Sequence, residues 1–225
     1  MNKPKVQKRL EIKNEGDITK LYIYGVIKEP DWWEDEDDVV SSKGVLKVLE
    51  DATGDRLEVH INSRGGDVFE SIAICNTLKQ FDGKVDVIID GEAASGASVV
   101  AMAGDTITMF SNSMMMIHKA WTYTYGNSDE LRKKADVLAK IDTALLTSYQ
   151  SRFVGTEDEL KDLLKEETWL TAEECLTLGF CDKVLDKKKE SEPQNNVKQN
   201  LLSKYKKDNG TEKGSFFDPF IKNKE

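Results

Sequence analysis

No stretch of the 225-residue chain approaches the about eighteen consecutive apolar residues that a membrane-spanning helix needs, so no membrane span is expected. Cysteine is scarce. Cys75, Cys175 and Cys181 are odd in number and lack metal-ligand spacing, which points to free thiols in a reducing cytosol. The segment Met1-Asn2-Lys3-Pro4-Lys5-Val6 is basic but has no apolar core behind it, so it does not read as a signal peptide. Positive charge is short as well. The net charge is −9, and residues 187–225 hold 10 lysines against 6 acids while residues 1–186 hold 22 basic against 35 acidic residues. A body so acidic argues against nucleic acid as the main partner, because phosphate binding needs a basic face. Histidine is scarcer still: the chain has only His60 and His118.

What is present describes a globular protein with one full domain and a tail: an N-terminal segment at 1–18, a folded domain at 19–186, and a polar tail at 187–225. Leu21–Ile27 reads as a strand. Asp31–Asp38 gathers six acids around Trp32 and Trp33, a solvated loop or else a lid or docking segment. A helix is expected over Val40–Leu49 and a strand over Leu57–Ile61, whose residues alternate. Asp67–Phe81 reads as a helix with Phe69, Ile72, Ala73 and Cys75 near one stripe, followed by a strand at Val85–Ile89 and a helix through Val99–Ala103. Short strands at Thr106–Phe110 and Met114–Ile117 follow. Strands alternating with helices imply βαβ units, a largely parallel sheet and an α/β fold.

The clearest helix is expected to be capped by Ser128, with Leu131, Ala135, Leu138, Ile141, Leu145 and Tyr149 at spacings of three and four. Thr156-x-x-Glu159 and Thr171-x-x-Glu174 are capping boxes, the second opening a helix that stops at Gly179 before a last strand at Phe180–Val184. From Lys187 the periodicity ends and a disordered tail is expected, with Phe216-Phe217-Asp218-Pro219-Phe220 as an apolar island that suits a docking peptide or nothing at all.

The stretch that carries chemistry is Gly91-Glu92-Ala93-Ala94-Ser95-Gly96-Ala97-Ser98, which sets a serine among small residues where a strand meets a helix. Small neighbours admit a carbonyl substrate, and a helix N-terminus offers N–H groups to a developing oxyanion. Tight helix–strand packing would use the same residues. A serine needs a base to take its proton. His60 alternates with Val59 and Ile61 inside a strand and reads as structural, whereas His118 ends the strand Met114–Ile117, where α/β folds bind ligands. A carboxylate would hold the imidazole in its working tautomer, but composition offers 41 acids and no choice among them. Asn62-Ser63-Arg64-Gly65-Gly66-Asp67 lacks the Lys-Ser/Thr of a phosphate loop and the third glycine of a dinucleotide fingerprint. It fits an oxyanion hole, or a plain tight turn.

Four motifs in order, Ile61–Gly66, Gly91–Ser95, Met116-Ile117-His118 and Leu170–Glu174 through Gly179, resemble the ClpP serine peptidases, and the likeness covers roughly Leu21 to Leu185. It is nearest to the phage and prophage ClpP-like branch associated with capsid maturation. The resemblance implies a ClpP/crotonase-like fold and a triad with Ser95 as nucleophile and His118 as base. The acidic position falls on Glu167, where the family has aspartate, with Glu166 as its neighbour and rival. The resemblance also implies an oxyanion hole from the N–H groups of Gly66 and Gly96, with Arg64 in place of a usual proline and Gly96 in place of a frequent methionine. It further implies a peptide substrate, a homo-oligomeric ring stacked through the helix over Ser128–Phe153, a cytoplasmic location, and no metal or organic cofactor. The tryptophan-bearing insert departs from the segment found in housekeeping ClpP, which works with an ATP-driven unfoldase. A phage-type enzyme would instead process scaffold and capsid proteins.

Rival readings are a noncatalytic ClpP-like assembly protein and a crotonase-fold acyl-CoA enzyme, which normally works with carboxylates. A Ser-Lys peptidase would need a lysine at Ser95, and Lys119, next along the strand from His118, is expected to point to the opposite face.

Overall fold

The computed structural model describes residues 10–34, 38–185 and Ser203, in which the apolar runs form a single mixed sheet flanked by helices. The strands are β1 (Leu10–Glu15), β2 (Ile18–Ile27), β3 (Arg56–Gly66), β4 (Lys84–Ala94), β5 (Thr106–Phe110), β6 (Met114–Ile117), β7 (Thr168–Thr171) and β8 (Lys183–Leu185). The helices are α1 (Ser42–Leu49), α2 (Val68–Lys79), α3 (Gly96–Ala101), α4 (Ser128–Gln150), α5 (Glu157–Lys165) and α6 (Ala172–Leu178). The order β1-β2-β3-β4-β5-β8 is parallel from β2 onward, with β1 antiparallel at the edge. The α/β architecture expected from the alternation of strands and helices is therefore present.

Alternation decides which side of each strand is dry. Leu21 and Ile23 of β2, Leu57, Val59 and Ile61 of β3, and Val87 and Ile89 of β4 are all fully buried. They share one core with Ile74 and Leu78 of α2 and with Val99 and Val100 of α3. Each such side chain contributes about 1.5–3 kcal/mol by leaving water.

Two strands were not foreseen. β1 has little apolar content and pairs with β2 through a hairpin that turns at Gly16, whose φ is +64°. It lies within the segment set apart at the N-terminus. β7 has only four residues and pairs antiparallel with β6. The expected strands at Leu57–Ile61 and Val85–Ile89 are each longer, running to Gly66 and Ala94 across register shifts. Asn62–Gly66 therefore belongs to strand rather than to a free turn.

The α2 stripe also differs from expectation. Ser71, Ile74, Cys75 and Leu78 face inward at spacings of three and four, while Phe69 is exposed. Ser71 takes an inward place because its hydroxyl is satisfied within the helix, donating to the Asp67 carbonyl at 2.7 Å. Both expected capping boxes form, at Thr156/Glu159 and Thr171/Glu174. A third opens α4, where Asn127 rather than the expected Ser128 is the cap, its side chain accepting from the Asp129 and Glu130 N–H groups, and Ser128 is the first helical residue. Only Leu145, Leu146 and Tyr149 of α4 are buried, so the N-terminal half of its apolar stripe stays uncovered among the described residues. Trp32 and Trp33 meet edge to face at 5.3 Å on an exposed turn. The tail and its Phe216–Phe220 island lie outside the described residues. No described helix is long and apolar enough to cross a membrane, and the three cysteines are buried as free thiols.

Candidate active site

β4 ends at Ala94 and α3 begins at Gly96, so Ser95 occupies the joint between them. Its backbone holds φ 53° and ψ −125°, in a region that side chains rarely adopt. Such a conformation costs on the order of 1–3 kcal/mol and persists only where its surroundings impose it. Here the Ser95 N–H donates to the Met116 carbonyl at 2.9 Å, and the Ser95 carbonyl accepts from the Ser98 N–H at 3.0 Å. The sharp turn leaves the Ser95 hydroxyl free of any capping duty on α3.

His118 follows the last residue of β6, and the pairing of β6 with β4 brings it to the serine. Ser95 Oγ lies 2.7 Å from His118 Nε2. On the far side of the ring, His118 Nδ1 is 3.8 Å from Glu167 Oε2, a charge contact longer than a hydrogen bond. With its proton on Nδ1 facing Glu167, the ring offers the Nε2 lone pair to the serine O–H. Glu167 sits in the turn between α5 and β7 with φ +50° and is half-exposed. Glu166 caps α5 and is exposed; of the two neighbours, Glu167 is the one in contact with His118.

Burial lowers the His118 pKa from its ordinary 6.5, and the charges of Glu167 and Asp142 work in the opposite direction without reversing it. The ring is therefore neutral at neutral pH, as a base must be. Asp142, on α4, also accepts from the Ala120 N–H at 2.9 Å and pairs with Lys119 Nζ at 3.3 Å. Lys119 is thus engaged with an acid on α4 rather than with Ser95. Sequence reasoning passed over Asp142; the available signal was an acid one turn from Leu138 beside the apolar stripe of α4.

The end of β3 closes the other side. Gly65 has φ +82°, and a Cβ there would stand 2.5 Å from both the Ala94 carbonyl and the Gly96 nitrogen. Only glycine lets β3 approach the start of α3 so closely. A Cβ at Gly96 would meet Ser71 Oγ at 2.1 Å, with Gly66 N 3.4 Å away. Gly96 is thus matched to the inward Ser71, and the Gly66 N–H lies beside it. Arg64 points outward and pairs with Glu92 at 3.1 Å. Gly65, Gly66, Ser95, Gly96, His118 and Glu167 line one cleft of about 890 Å³, together with the apolar Val99, Leu138, Ile141 and Leu145.

His60 lies away from the cleft lining, on the face of the sheet opposite the core. Its Nδ1 contacts Asp90 at 2.9 Å and its Nε2 contacts Glu58 at 3.0 Å, while Tyr22 stacks on the ring at 4.7 Å. The structural reading of this histidine suits that setting.

The arrangement provides a hydroxyl in contact with a neutral imidazole and a carboxylate 3.8 Å beyond the ring, with Gly66 and Gly96 in the lining of the same cleft. Comparison with known proteins places the chain among proteases. The Clp protease family model matches residues 33–188. The ATP-dependent Clp protease proteolytic subunit of Deinococcus radiodurans is 29% identical over 137 residues, covering 60% of this chain and 67% of its own length. The ATP-dependent Clp protease proteolytic subunit of Porphyromonas gingivalis is 29% identical over 136 residues, covering 60% of this chain and 61% of its own.

Proposed function

The chain belongs to the Clp protease family, and from that premise we propose that it is a serine endopeptidase with Ser95 as nucleophile, His118 as base and Glu167 as the third member. The observation that carries the reading is the 2.7 Å contact between Ser95 Oγ and His118 Nε2 at a strained strand–helix joint in an open cleft. A strained serine that meets a neutral imidazole has little use as packing and a direct use as a nucleophile.

In the proposed cycle His118 Nε2 takes the hydroxyl proton as Ser95 Oγ attacks the peptide carbonyl. The imidazolium is stabilised by Glu167 from the Nδ1 side. The oxyanion is received by the N–H groups of Gly66 and Gly96, a pair of donors whose individual loss typically costs about a hundredfold or more in turnover. His118 then gives its proton to the leaving amine, and water, activated by the same ring, releases the acyl group from Ser95. The apolar residues of the cleft lining suit an apolar side chain of the substrate.

The domain assignment at 19–186 with a tail at 187–225 belongs to this proposal, as does assembly into a homo-oligomeric ring through the exposed half of α4. So does the choice of partner: an ATP-driven unfoldase, or scaffold and capsid proteins if the chain is of the phage type. The exposed Trp32–Trp33 turn in the segment that departs from housekeeping ClpP favours the second. A noncatalytic assembly role is favoured by one observation alone, the 3.8 Å gap between His118 and the half-exposed Glu167.

The deciding experiment is intact-mass labelling with a fluorophosphonate probe on the largest assembly that gel filtration yields. A single adduct at Ser95 that disappears in Ser95→Ala and His118→Ala is the expected result. An assembled wild type that takes no label would decide for the assembly role.

A further inference from the structure

Beneath Ser95 lies a second pair of hydroxyls that the cycle above does not use. Ser98, in α3, and Tyr149, near the end of α4, are both essentially inaccessible to solvent. Ser98 Oγ lies 2.5 Å from the Ser95 carbonyl oxygen and 2.8 Å from the Tyr149 phenol oxygen. Counting protons sets the directions. A carbonyl can only accept, so the single Ser98 proton goes to Ser95, and the phenol must donate to Ser98 Oγ. Burial raises the Tyr149 pKa above its ordinary 10, so the phenol keeps that proton at neutral pH.

We propose that Tyr149 and Ser98 form a positioning relay, phenol to hydroxyl to the Ser95 carbonyl, that holds the nucleophile in its strained conformation and makes its reactivity depend on the seat of α4. The inference rests on the serine peptidase reading. Three observations support it. The Ser95 carbonyl accepts twice from one residue, at 3.0 Å from the Ser98 N–H and at 2.5 Å from its Oγ. That carbonyl defines the ψ of −125° on which the direction of the Ser95 side chain depends. The relay also crosses a neighbourhood of Val99, Val100, Leu145, Leu146 and Phe180, where alanine and phenylalanine would suffice for packing alone.

α4 reaches the other side of the site as well. Asp142 holds the Ala120 N–H at 2.9 Å, two residues beyond the base. One helix thus fixes the nucleophile through Tyr149 and the segment after His118 through Asp142. Any event that shifts α4, such as subunit assembly, would act on both together.

The test measures the fluorophosphonate labelling rate of the full-length assembled protein against probe concentration, and thermal stability in parallel. Ser98→Ala is expected to lower the maximal rate on the order of tenfold, the equivalent of one lost hydrogen bond, with the half-saturating concentration unchanged. It also strands the buried phenol and so lowers the melting temperature. Tyr149→Phe leaves Ser98 still donating and is expected to lower the rate by about threefold. The double variant Ser98→Ala/Tyr149→Phe separates function from packing. It removes the stranded phenol and recovers stability, yet its rate stays at the Ser98→Ala level. Ser98→Ala labelling at the wild-type rate would overturn the relay, as would a double variant whose rate recovers along with its stability. A wild type that takes no label overturns the nucleophile reading itself, and the relay with it.

Discussion

His118 can act as a base only while its ring is neutral, and opposing influences set where that condition begins. Burial lowers its pKa from 6.5, while the charges of Glu167 and Asp142 raise it. In the proposed cycle the labelling rate of Ser95 therefore rises with pH through a value below 6.5 and then levels off. Glu167→Gln removes one of the upward influences, so the acid limb of that profile is expected to move to still lower pH. The plateau is expected to fall by about tenfold or more, because the amide stabilises the imidazolium less well. Labelling rates of both proteins across the acid and neutral range check the two effects together; a limb that stays in place would remove Glu167 from the site. The same three residues show why part of this site was legible. Ser95 and His118 each announce themselves locally, one among small residues at a strand–helix joint, the other at a strand end. Glu167 has no such local mark. It is one of 41 acids, and its place beside the ring is made by tertiary pairing of β6 with β7 across some fifty residues of sequence, so only the family resemblance singled it out. Asp142, Ser71 and the Ser98–Tyr149 pair were hidden for the complementary reason. Each is a polar group whose role depends on a partner from another turn or another element.

Elements with strong periodicity or short bounded apolar runs were readable, and those defined by their neighbours were not. β5 and β6 match expectation at both ends. β1 and β7 escaped because β1 carries little apolar signal and β7 is four residues long, so each is held mainly by its pairing partner. The extra length of β3 and β4 comes from the same source, since pairing with neighbouring strands carries β3 on to Gly66 across register shifts, with Gly65 keeping its positive φ. The three central strands also share a polar cluster on the face away from the core. The Tyr24 hydroxyl donates to Asp90 at 2.6 Å, and His60 contacts both Asp90 and Glu58, which Lys20 approaches at 3.8 Å. Burial of His60 opposes its charge, but the hydrogen bonds to Asp90 and Glu58 outweigh this and raise its pKa above 6.5. A raised folded-state value means that the protonated ring stabilises the fold. That contribution is fully present below about 6.5 and is lost as pH rises through the folded value. His60→Gln is thus expected to be less stable than wild type at acid pH, with the gap narrowing above neutrality. Chemical denaturation of both proteins at several pH values measures that gap. A gap that widened with pH would mean that the neutral ring is the form the cluster favours.

At the scale of the whole molecule, a large apolar feature is left uncovered among the described residues. α4 has 23 residues and a length of about 35 Å, yet only its last turns are buried. Ahead of it Trp121, Tyr123 and Tyr125 are 72%, 97% and 96% exposed, and Leu131 and Val137 on its first half are also exposed. Isolated domains seldom display so many large apolar side chains together. In the proposed ring this half-helix and its leading segment are the surface that another subunit covers. Leu131 is the position at which to test this, because it is exposed and lies outside the cleft lining. Leu131→Lys puts a charge where the monomer already meets water, so the fold should tolerate it within about 0.5 kcal/mol. In an assembly the same charge would be buried without a partner, which costs several kcal/mol per subunit and is multiplied by the symmetry of a ring. The expected outcome is a wild-type melting curve at low protein concentration together with a shift to small species in sedimentation or gel filtration. The labelling rate at Ser95 should fall with the loss of assembly, because the relay through Tyr149 and the contact through Asp142 both depend on where α4 sits. An unchanged assembly with Leu131→Lys would place the ring contact elsewhere. Small species that label at the wild-type rate would show that α4 is seated by the chain alone, and that the ring encloses an active site it does not complete.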